Sequence, residues 1–143
     1  MTAELSHRPV LLVEDNPVDI DLTLRAFARR KLVNSIQVAR DGEEALAWLG
    51  RWEAGEPLPQ VVLLDIKLPR IPGLEVLAQL KANPVSHSIP VVMLTSSAED
   101  QDIAAAYRLG ANSYIVKPID FHKFLDIADT IELYWCITNQ PPR

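Results

Sequence analysis

Short apolar runs alternate along the chain with longer amphipathic stretches. Five runs rich in β-branched residues predict strands: Val10–Val13, Ser35–Ala39, Val61–Leu64, Ile89–Leu94 and Ser113–Val116. The Val61–Leu64 run is apolar throughout and is followed by a turn rich in proline, as is typical of a strand buried on both faces. The Ser35–Ala39 run alternates in polarity, which predicts an edge strand packed on one face.

The stretches between these runs have helical spacing and recognisable caps. Asn16-Pro17 starts the first helix, because asparagine is a good N-cap and proline is well accommodated at the first helical position. Ser97–Asp100 has the form of a capping box, and Asp120 caps the last helix. Strand and helix alternate five times, which predicts an α/β fold, a doubly wound parallel sheet with helices on both faces.

Two tryptophans lie one helical turn apart in the second predicted helix. Trp48 and Trp52 are separated by four residues and so share a helix face. We expect Trp48 to cover the sheet and Trp52 to be the more exposed of the two.

The ends of the predicted strands carry polar residues that complement one another. Glu14-Asp15 follows strand one, Asp65 strand three, Thr95 closes strand four, and Lys117 follows strand five. Strand ends of a parallel sheet converge at the topological switch point, where such folds bind ligands. Each residue alone is weak evidence, since an acidic residue after a strand most often lies in a solvated turn.

Gathering three carboxylates requires a cation. Two unit charges ~4 Å apart repel by roughly 4 kcal/mol at an effective dielectric near 20. Lys117 offsets one charge, and oxygen ligands favour Mg²⁺ or Mn²⁺ for the rest. Because Mg²⁺ commonly binds one or two carboxylates together with a phosphoryl oxygen, the pattern favours a phosphoryl site.

Composition narrows the remaining function classes. The chain has 143 residues, 48% of them hydrophobic, a formal net charge of −5 and one cysteine. We therefore expect one domain over 1–143, with a core from 9–132 and an extension at 133–143. No basic face favours direct binding to nucleic acid or to an anionic membrane, and no apolar run is long enough to span a bilayer. We expect a cytoplasmic protein.

Several motifs together identify a family resemblance. The sequence resembles the response-regulator receiver domain of two-component signalling from Val10 to Ile131. The motifs are Leu11-Leu12-Val13-Glu14-Asp15, Asp41-Gly42-Glu43-Glu44-Ala45-Leu46, Leu63-Leu64-Asp65-Ile66-Lys67-Leu68-Pro69, Met93-Leu94-Thr95-Ser96-Ser97, Gly110-Ala111 and Lys117-Pro118. The resemblance implies a flavodoxin-like, five-stranded parallel sheet of order 2-1-3-4-5 flanked by five helices.

The resemblance also implies roles for the residues at the strand ends. Asp65 would accept a phosphoryl group from a phosphohistidine on a sensor histidine kinase. Asp15 would bind Mg²⁺ or Mn²⁺ directly, Glu14 through a water, and Asp65 and the backbone carbonyl of Lys67 would complete the protein ligands. The protein would not be an enzyme, beyond assisting its own phosphorylation and dephosphorylation.

The remaining implied roles concern the phosphoryl oxygens and the switch. Thr95 and Lys117 would bind the phosphoryl oxygens, and a cis Lys117–Pro118 bond would place the ammonium. Movement of Thr95 towards the phosphoryl group would leave space for Tyr114 to turn inward, which would alter the face formed by the fourth helix, fifth strand and fifth helix.

The end of the chain predicts a protein contact. Residues 131–137 are apolar nearly all round, which is unusual for a helix on the surface of a monomer. We expect a homodimer contact that extends the final helix and includes Trp135 in the 133–143 extension. This tail resembles stand-alone regulators paired with phytochrome-type histidine kinases. The output would then be a contact with an unknown downstream protein or onward phosphotransfer.

Three alternatives are weighed against the phosphoacceptor. A flavin or nucleotide binder needs a glycine-rich phosphate loop, whereas Glu14–Pro17 is acidic and lacks glycine. An aspartyl-phosphate phosphatase has the motif Asp-x-Asp-x-Thr after the strand. Here Lys67 occupies the position of the second aspartate, so no general acid is supplied. The third alternative is a phosphorylation-independent scaffold or dimerisation module of receiver fold, and the complete set of strand-end residues argues against it.

Overall fold

A computed structural model describes residues 8–31, 34–117 and 120–138, and of residues 130–138 the backbone alone. Within these residues five strands alternate with five helices. The strands are β1 (Val10–Val13), β2 (Ile36–Ala39), β3 (Val61–Leu64), β4 (Val91–Thr95) and β5 (Ser113–Val116). The helices are α1 (Pro17–Arg29), α2 (Gly42–Glu53), α3 (Gly73–Ala82), α4 (Asp100–Arg108) and α5 (Phe121–Thr138).

The strands form one parallel sheet of order β2-β1-β3-β4-β5, which confirms the predicted fold class. The register aligns Val13 of β1 with Ala39 of β2 and with Leu64 of β3. Thr95 of β4 aligns with Val116 of β5. The residues that follow these strands therefore emerge at one edge of the sheet, with β1 and β3 side by side.

Alternating side chains of the buried strands supply two core clusters, one on each face of the sheet. Leu11, Val13, Val62 and Leu64 pack in a cluster that includes residues of α2, α3 and α4. The second cluster takes the intervening positions of β1 and β3 together with residues of α1 and α5. All four residues of β1 and of β3 are buried, as their continuous apolar runs predict.

The helix starts agree with the sequence at α1 but differ at α4. Asn16 caps α1 by accepting hydrogen bonds at its side chain from the N–H groups of Val18 and Asp19. The capping box predicted at Ser97–Asp100 is wrong: α4 begins at Asp100, and its N-cap residue Glu99 makes no side-chain capping bond. The Ser97 hydroxyl instead hydrogen-bonds the Asp102 carboxylate in the first turn of that helix.

The expected burial of the two tryptophans is also reversed. Trp52 is 3% exposed and belongs to the core, whereas Trp48 is only partly buried and packs against Arg51, whose guanidinium lies 3.8 Å from its ring centroid. Trp52 lies in the last turn of α2. The loop that follows returns to the sheet, and its Leu58 packs on the same core cluster, so this end of the helix is enclosed.

Two expectations fall outside the described residues. The Lys117–Pro118 bond involves Pro118, which is not among them, and the dimer contact rests on side chains of the 133–143 segment, of which only part of the backbone is described. No helix in the described part of the chain combines the length and apolarity needed to cross a membrane.

Candidate functional site at the carboxyl edge of the sheet

The two central strands bring two acidic side chains together. Glu14 follows β1, and its N–H donates to the Ala39 carbonyl, which extends the β1–β2 pairing by one residue. Asp65 follows β3, and its N–H donates to the Val13 carbonyl. Glu14 is 2% exposed and Asp65 4% exposed. The sheet thus holds two carboxylates out of water, which is costly unless each has a charged or hydrogen-bonding partner.

Lys117 is the cation that binds this pair. Its Nζ lies 2.8 Å from Glu14 Oε1, 3.0 Å from Asp65 Oδ2 and 2.8 Å from Asp19 Oδ2. The Lys117 N–H also donates to the Thr95 carbonyl at 2.7 Å, so the backbone that carries the ammonium is fixed to β4. An ammonium group has three N–H donors, and here each has a carboxylate acceptor.

The electrostatics follow from burial and from these bonds. Burial raises the pKa of Glu14, while hydrogen bonds from Lys117 and from the Asn16 N–H oppose that rise. Burial alone would lower the pKa of Lys117, but its hydrogen bonds to Asp19, Glu14 and Asp65 outweigh burial and raise it. Lys117 is therefore a permanent positive charge beside the carboxylate of Asp65.

Three carboxylates also lie close enough to share a metal ion. Glu14, Asp15 and Asp65 each offer a ligand oxygen, and these oxygens lie within 4.8 Å of one another. Asp15 is exposed, whereas its two neighbours are buried. An all-oxygen set with one side open to solvent suits a hard divalent cation that keeps some of its waters.

The turn after β3 brings the backbone close to the Asp65 side chain. The Lys67 N–H donates to Asp65 Oδ1 at 3.2 Å, and the Lys67 side chain is exposed. Gly73 closes the turn by donating its N–H to the Ile66 carbonyl at 2.8 Å. A Cβ at Gly73 would overlap the carbonyl oxygen of Asp65, so only glycine permits this approach.

A chain of hydroxyl contacts leads away from the carboxylates towards β5. Thr95 is fully buried, and its Oγ1 accepts a hydrogen bond from the Ser97 N–H at 3.3 Å. The Tyr114 hydroxyl donates to the Ser97 carbonyl at 2.8 Å. Ser97 Oγ lies 2.5 Å from Asp102 Oδ2, which ties the loop to α4. Desolvation raises the pKa of Tyr114, with smaller contributions from nearby carboxylates, chiefly Asp102.

The geometry gathers the ionic residues that strand ends predict, and it adds one that sequence reasoning missed. Lys117 contacts Glu14 and Asp65, and Asp15 lies beside them. Asp19 was missed because it lies in a helix rather than after a strand. A signal was present, since Asn16-Pro17 fixes the helix start and places Asp19 in its first turn, facing the same edge.

Comparisons with known proteins show the family to which this chain is similar. Residues 10–129 match the sequence profile described as response regulator receiver domain. The chain is 42% identical over 134 residues to the probable methanogenesis regulatory protein FilR2 of Methanothrix harundinacea, covering 93% of this chain and 86% of that protein. It is 36% identical over 136 residues to response regulator Rcp1 of Synechocystis, covering 93% and 92%.

Solved structures give the same result. The phosphorylated cyanobacterial phytochrome response regulator RcpA superposes with a TM-score of 0.84 at 37% identity, covering 96% of this chain and 99% of that one. The Mn²⁺-bound form of Rcp1 gives 0.81 at 34% identity, covering 95% and 99%. The chain belongs to the response regulator receiver family. Its relatives within that family include phytochrome response regulators, so the family resemblance seen in the sequence is confirmed.

Proposed function

We propose that this receiver domain is a phosphoacceptor in which Asp65 takes a phosphoryl group from a sensor histidine kinase. The observation that carries the proposal is the ammonium of Lys117, 3.0 Å from Asp65 Oδ2. A buried carboxylate paired with a fixed cation is suited to act as a nucleophile, because the cation offsets the negative charge of the phosphoryl group that the carboxylate accepts. The phosphorylated state in which RcpA was solved supports the same chemistry.

The chain's own residues have defined tasks in this reaction. A carboxylate oxygen of Asp65 attacks phosphorus, the bond from phosphorus to the histidine nitrogen breaks, and the leaving imidazole takes up a proton. Little covalent chemistry is needed, so positioning and charge stabilisation supply most of the acceleration. The ammonium of Lys117 donates a hydrogen bond to one phosphoryl oxygen, and the hydroxyl of Thr95 turns to donate to a second phosphoryl oxygen.

The residues present fit a divalent metal ion. Glu14, Asp15 and Asp65 would hold Mg²⁺ or Mn²⁺ together with the backbone carbonyl of Lys67, and the Mn²⁺-bound form of Rcp1 supports this assignment. Bound there, the cation would supply positive charge to the phosphoryl oxygens. The donors are all oxygens, which agrees with the preference of both ions.

The switch would run through the hydroxyl contacts. When Thr95 turns towards the phosphoryl group, its bond from the Ser97 N–H is released. Tyr114, held at the Ser97 carbonyl, would then be free to turn inward and change the surface of α4, β5 and α5. The output is a changed contact with another protein.

The partners follow from the relatives. RcpA is named a cyanobacterial phytochrome response regulator, which supports a histidine kinase of phytochrome type as the phosphodonor. A cytoplasmic location is part of the same proposal, as is a homodimer built on the 133–143 segment. Trp135→Glu should shift the protein towards monomer in sedimentation, and an unchanged mass distribution would remove the dimer from the proposal.

Phosphorylation by a small donor tests the central claim. Incubation with acetyl phosphate and Mg²⁺ should add one phosphoryl group, measured by intact-protein mass spectrometry. Asp65→Asn should remain unlabelled, while Asp100→Asn, an exposed aspartate at the start of α4, should label like the wild type. A wild type that takes no phosphate, under conditions that label a known receiver, would favour the scaffold.

A further inference from the structure

Asp19 holds Lys117 from a different structural element than the other carboxylates. Asn16 caps α1 by accepting from the Asp19 N–H at 3.2 Å, and Pro17 fixes the first helical position. This start fixes the direction of the Asp19 side chain, whose Oδ2 lies 2.8 Å from Lys117 Nζ. The Asp19 side chain is 19% exposed, so this ion pair is largely shielded from solvent.

The three acceptors of the Lys117 ammonium are not equivalent. Among the described residues, the carboxylates close enough together to share a cation are Glu14, Asp15 and Asp65, and Asp19 lies outside that group. Glu14 and Asp65 would therefore bind both the ammonium and the metal ion. Asp19 binds the ammonium but is not in the group that could bind the metal ion, so its bond to Lys117 does not depend on what Glu14 and Asp65 bind.

We propose that Asp19 is a positioning residue for phosphoryl transfer, which acts by anchoring the ammonium of Lys117. When an Asp65 oxygen bonds to phosphorus, that oxygen loses its negative charge, and the Lys117 N–H directed at Asp65 passes to a phosphoryl oxygen. The bond to Asp19 persists and keeps the ammonium aimed at the acceptor. This inference rests on the proposed function.

A purely structural role for Asp19 makes a different prediction. A carboxylate in the first turn of a helix also stabilises the helix through its dipole, which affects folding rather than phosphorylation. In that case Asp19→Asn should lower the free energy of unfolding, while both Asp19→Asn and Asp19→Glu should be phosphorylated at the wild-type rate. If Asp19 anchors Lys117 by charge, Asp19→Asn should be phosphorylated more slowly than Asp19→Glu, because glutamate keeps the carboxylate and asparagine does not.

The test compares rates of phosphorylation by acetyl phosphate in saturating Mg²⁺ for the wild type, Asp19→Asn, Asp19→Glu and Asp21→Asn. Asp21 is the matched control: it lies on the same helix, is 57% exposed and pairs only at the surface with Arg25. We expect Asp19→Asn to be roughly tenfold slower, because a neutral amide oxygen accepts from the ammonium more weakly than a carboxylate does. Asp19→Glu should recover most of that loss, and Asp21→Asn should equal the wild type.

The outcomes separate the two proposals. If the wild type labels and Asp19→Asn labels within twofold of it, Asp19 does not position Lys117, and the phosphoacceptor assignment stands. If Asp19→Asn is faster than Asp19→Glu, the charge is not what matters, and the inference is also overturned. If the wild type does not label at all, it is the proposed function that fails. Circular dichroism of each variant confirms that rates are compared between folded proteins.

Discussion

The carboxyl edge of the sheet has two halves that are built differently. The ionic half comprises Glu14, Asp15, Asp19, Asp65 and Lys117, and the hydroxyl half comprises Thr95, Ser97, Asp102 and Tyr114. In the ionic half, Lys117 is held by charged bonds of 2.8–3.0 Å to Glu14 and Asp65, at the ends of the buried central strands, and to Asp19 of α1. In the hydroxyl half, contacts of 2.5–3.3 Å join a loop to its neighbours.

In the proposed function, this difference would separate the residues that react from the residues that signal. Hydrogen bonds between charged groups are roughly twice as strong as neutral ones, so the ionic half resists rearrangement. Two of the contacts of the hydroxyl half, those that end on Thr95 Oγ1 and the Ser97 carbonyl, join neutral groups and can be exchanged at small cost. Under the proposed function, such a site would keep its reacting atoms fixed while a neighbouring loop changes its hydrogen-bond partners. The two halves meet where the Lys117 N–H donates to the Thr95 carbonyl.

The largest expected effect is in the ionic half. Lys117→Met should slow phosphorylation by acetyl phosphate by about 10²–10³-fold, the range found when one preorganised donor to a developing charge is removed. Quenched time courses analysed by mass spectrometry measure the rate. Lys123→Met, an exposed position with the same charge change, should label like the wild type. Equal losses in both variants would mean that net charge, rather than the ammonium at Asp65, controls the rate.

The backbone beneath the ionic half gives the next effect. Gly73→Ala places a methyl group against the Asp65 carbonyl and the Ile66 backbone, neither of which is a flexible side chain. We expect a loss of about 2 kcal/mol in the free energy of unfolding, measured in urea, because overpacking must displace the backbone.

The matched control for Gly73 is Gly50 in the interior of α2. A Cβ there meets no atom within 4 Å. Gly50→Ala should therefore gain up to about 1 kcal/mol through helix propensity. A stable Gly73→Ala variant would contradict the tight packing of the turn after β3.

A smaller effect should isolate the hydroxyl half. Ser97→Ala removes the contact to Asp102 and should cost about 1 kcal/mol, with faster amide hydrogen exchange in residues 96–99. The phosphorylation rate should change little, since the ionic half is intact. Ser96→Ala, at the adjacent exposed serine, should alter neither measurement. If Ser97→Ala slows phosphorylation as strongly as Lys117→Met, the two halves are not separable.

The smallest expected effect is a raised pKa of Tyr114. Tyr114 should ionise above the usual phenol pKa of about 10, because desolvation and nearby carboxylates disfavour phenolate. Since the folded pKa is the higher, the stability from neutral Tyr114 is present below about pH 10 and is lost as pH rises through the folded pKa. Tyrosinate absorbance, wild type minus Tyr114→Phe, reports the titration. Asp102→Asn should lower this pKa, and an unchanged value would remove Asp102 as a cause.

Sequence patterns predict most of the ionic half because four of its five residues come directly after strands. Val61–Leu64 can only be buried, so the position of Asp65 follows from the sheet. The same reasoning places Glu14 after β1, whereas Lys117 follows the edge strand β5, whose residues are only partly buried or exposed. Asp19 escapes it, because its role depends on the direction in which α1 leaves β1, and a strand pattern carries no such information.

The other two wrong predictions also concern features that depend on tertiary packing. Trp48 and Trp52 share a helix face, so periodicity alone does not distinguish them, and the loop that encloses Trp52 decides. The Ser97–Asp100 spacing fits a capping box, yet Ser97 contacts Asp102 because α4 begins later. Both outcomes depend on the path of a loop, whereas the positions of the strands follow from the burial of their apolar residues.

The pairing of Lys117 with Asp65, 52 residues apart in the chain, has a consequence for synthesis. During translation, β1, β3 and their acidic residues emerge well before the lysine that neutralises them. A nascent chain that lacks Lys117 carries the acceptor but not its cation, and β5 is not yet available to pair with β4. Under the proposed function, competence for phosphorylation would therefore be acquired only when the last strand joins the sheet, and incomplete chains would not accept phosphate from the kinase.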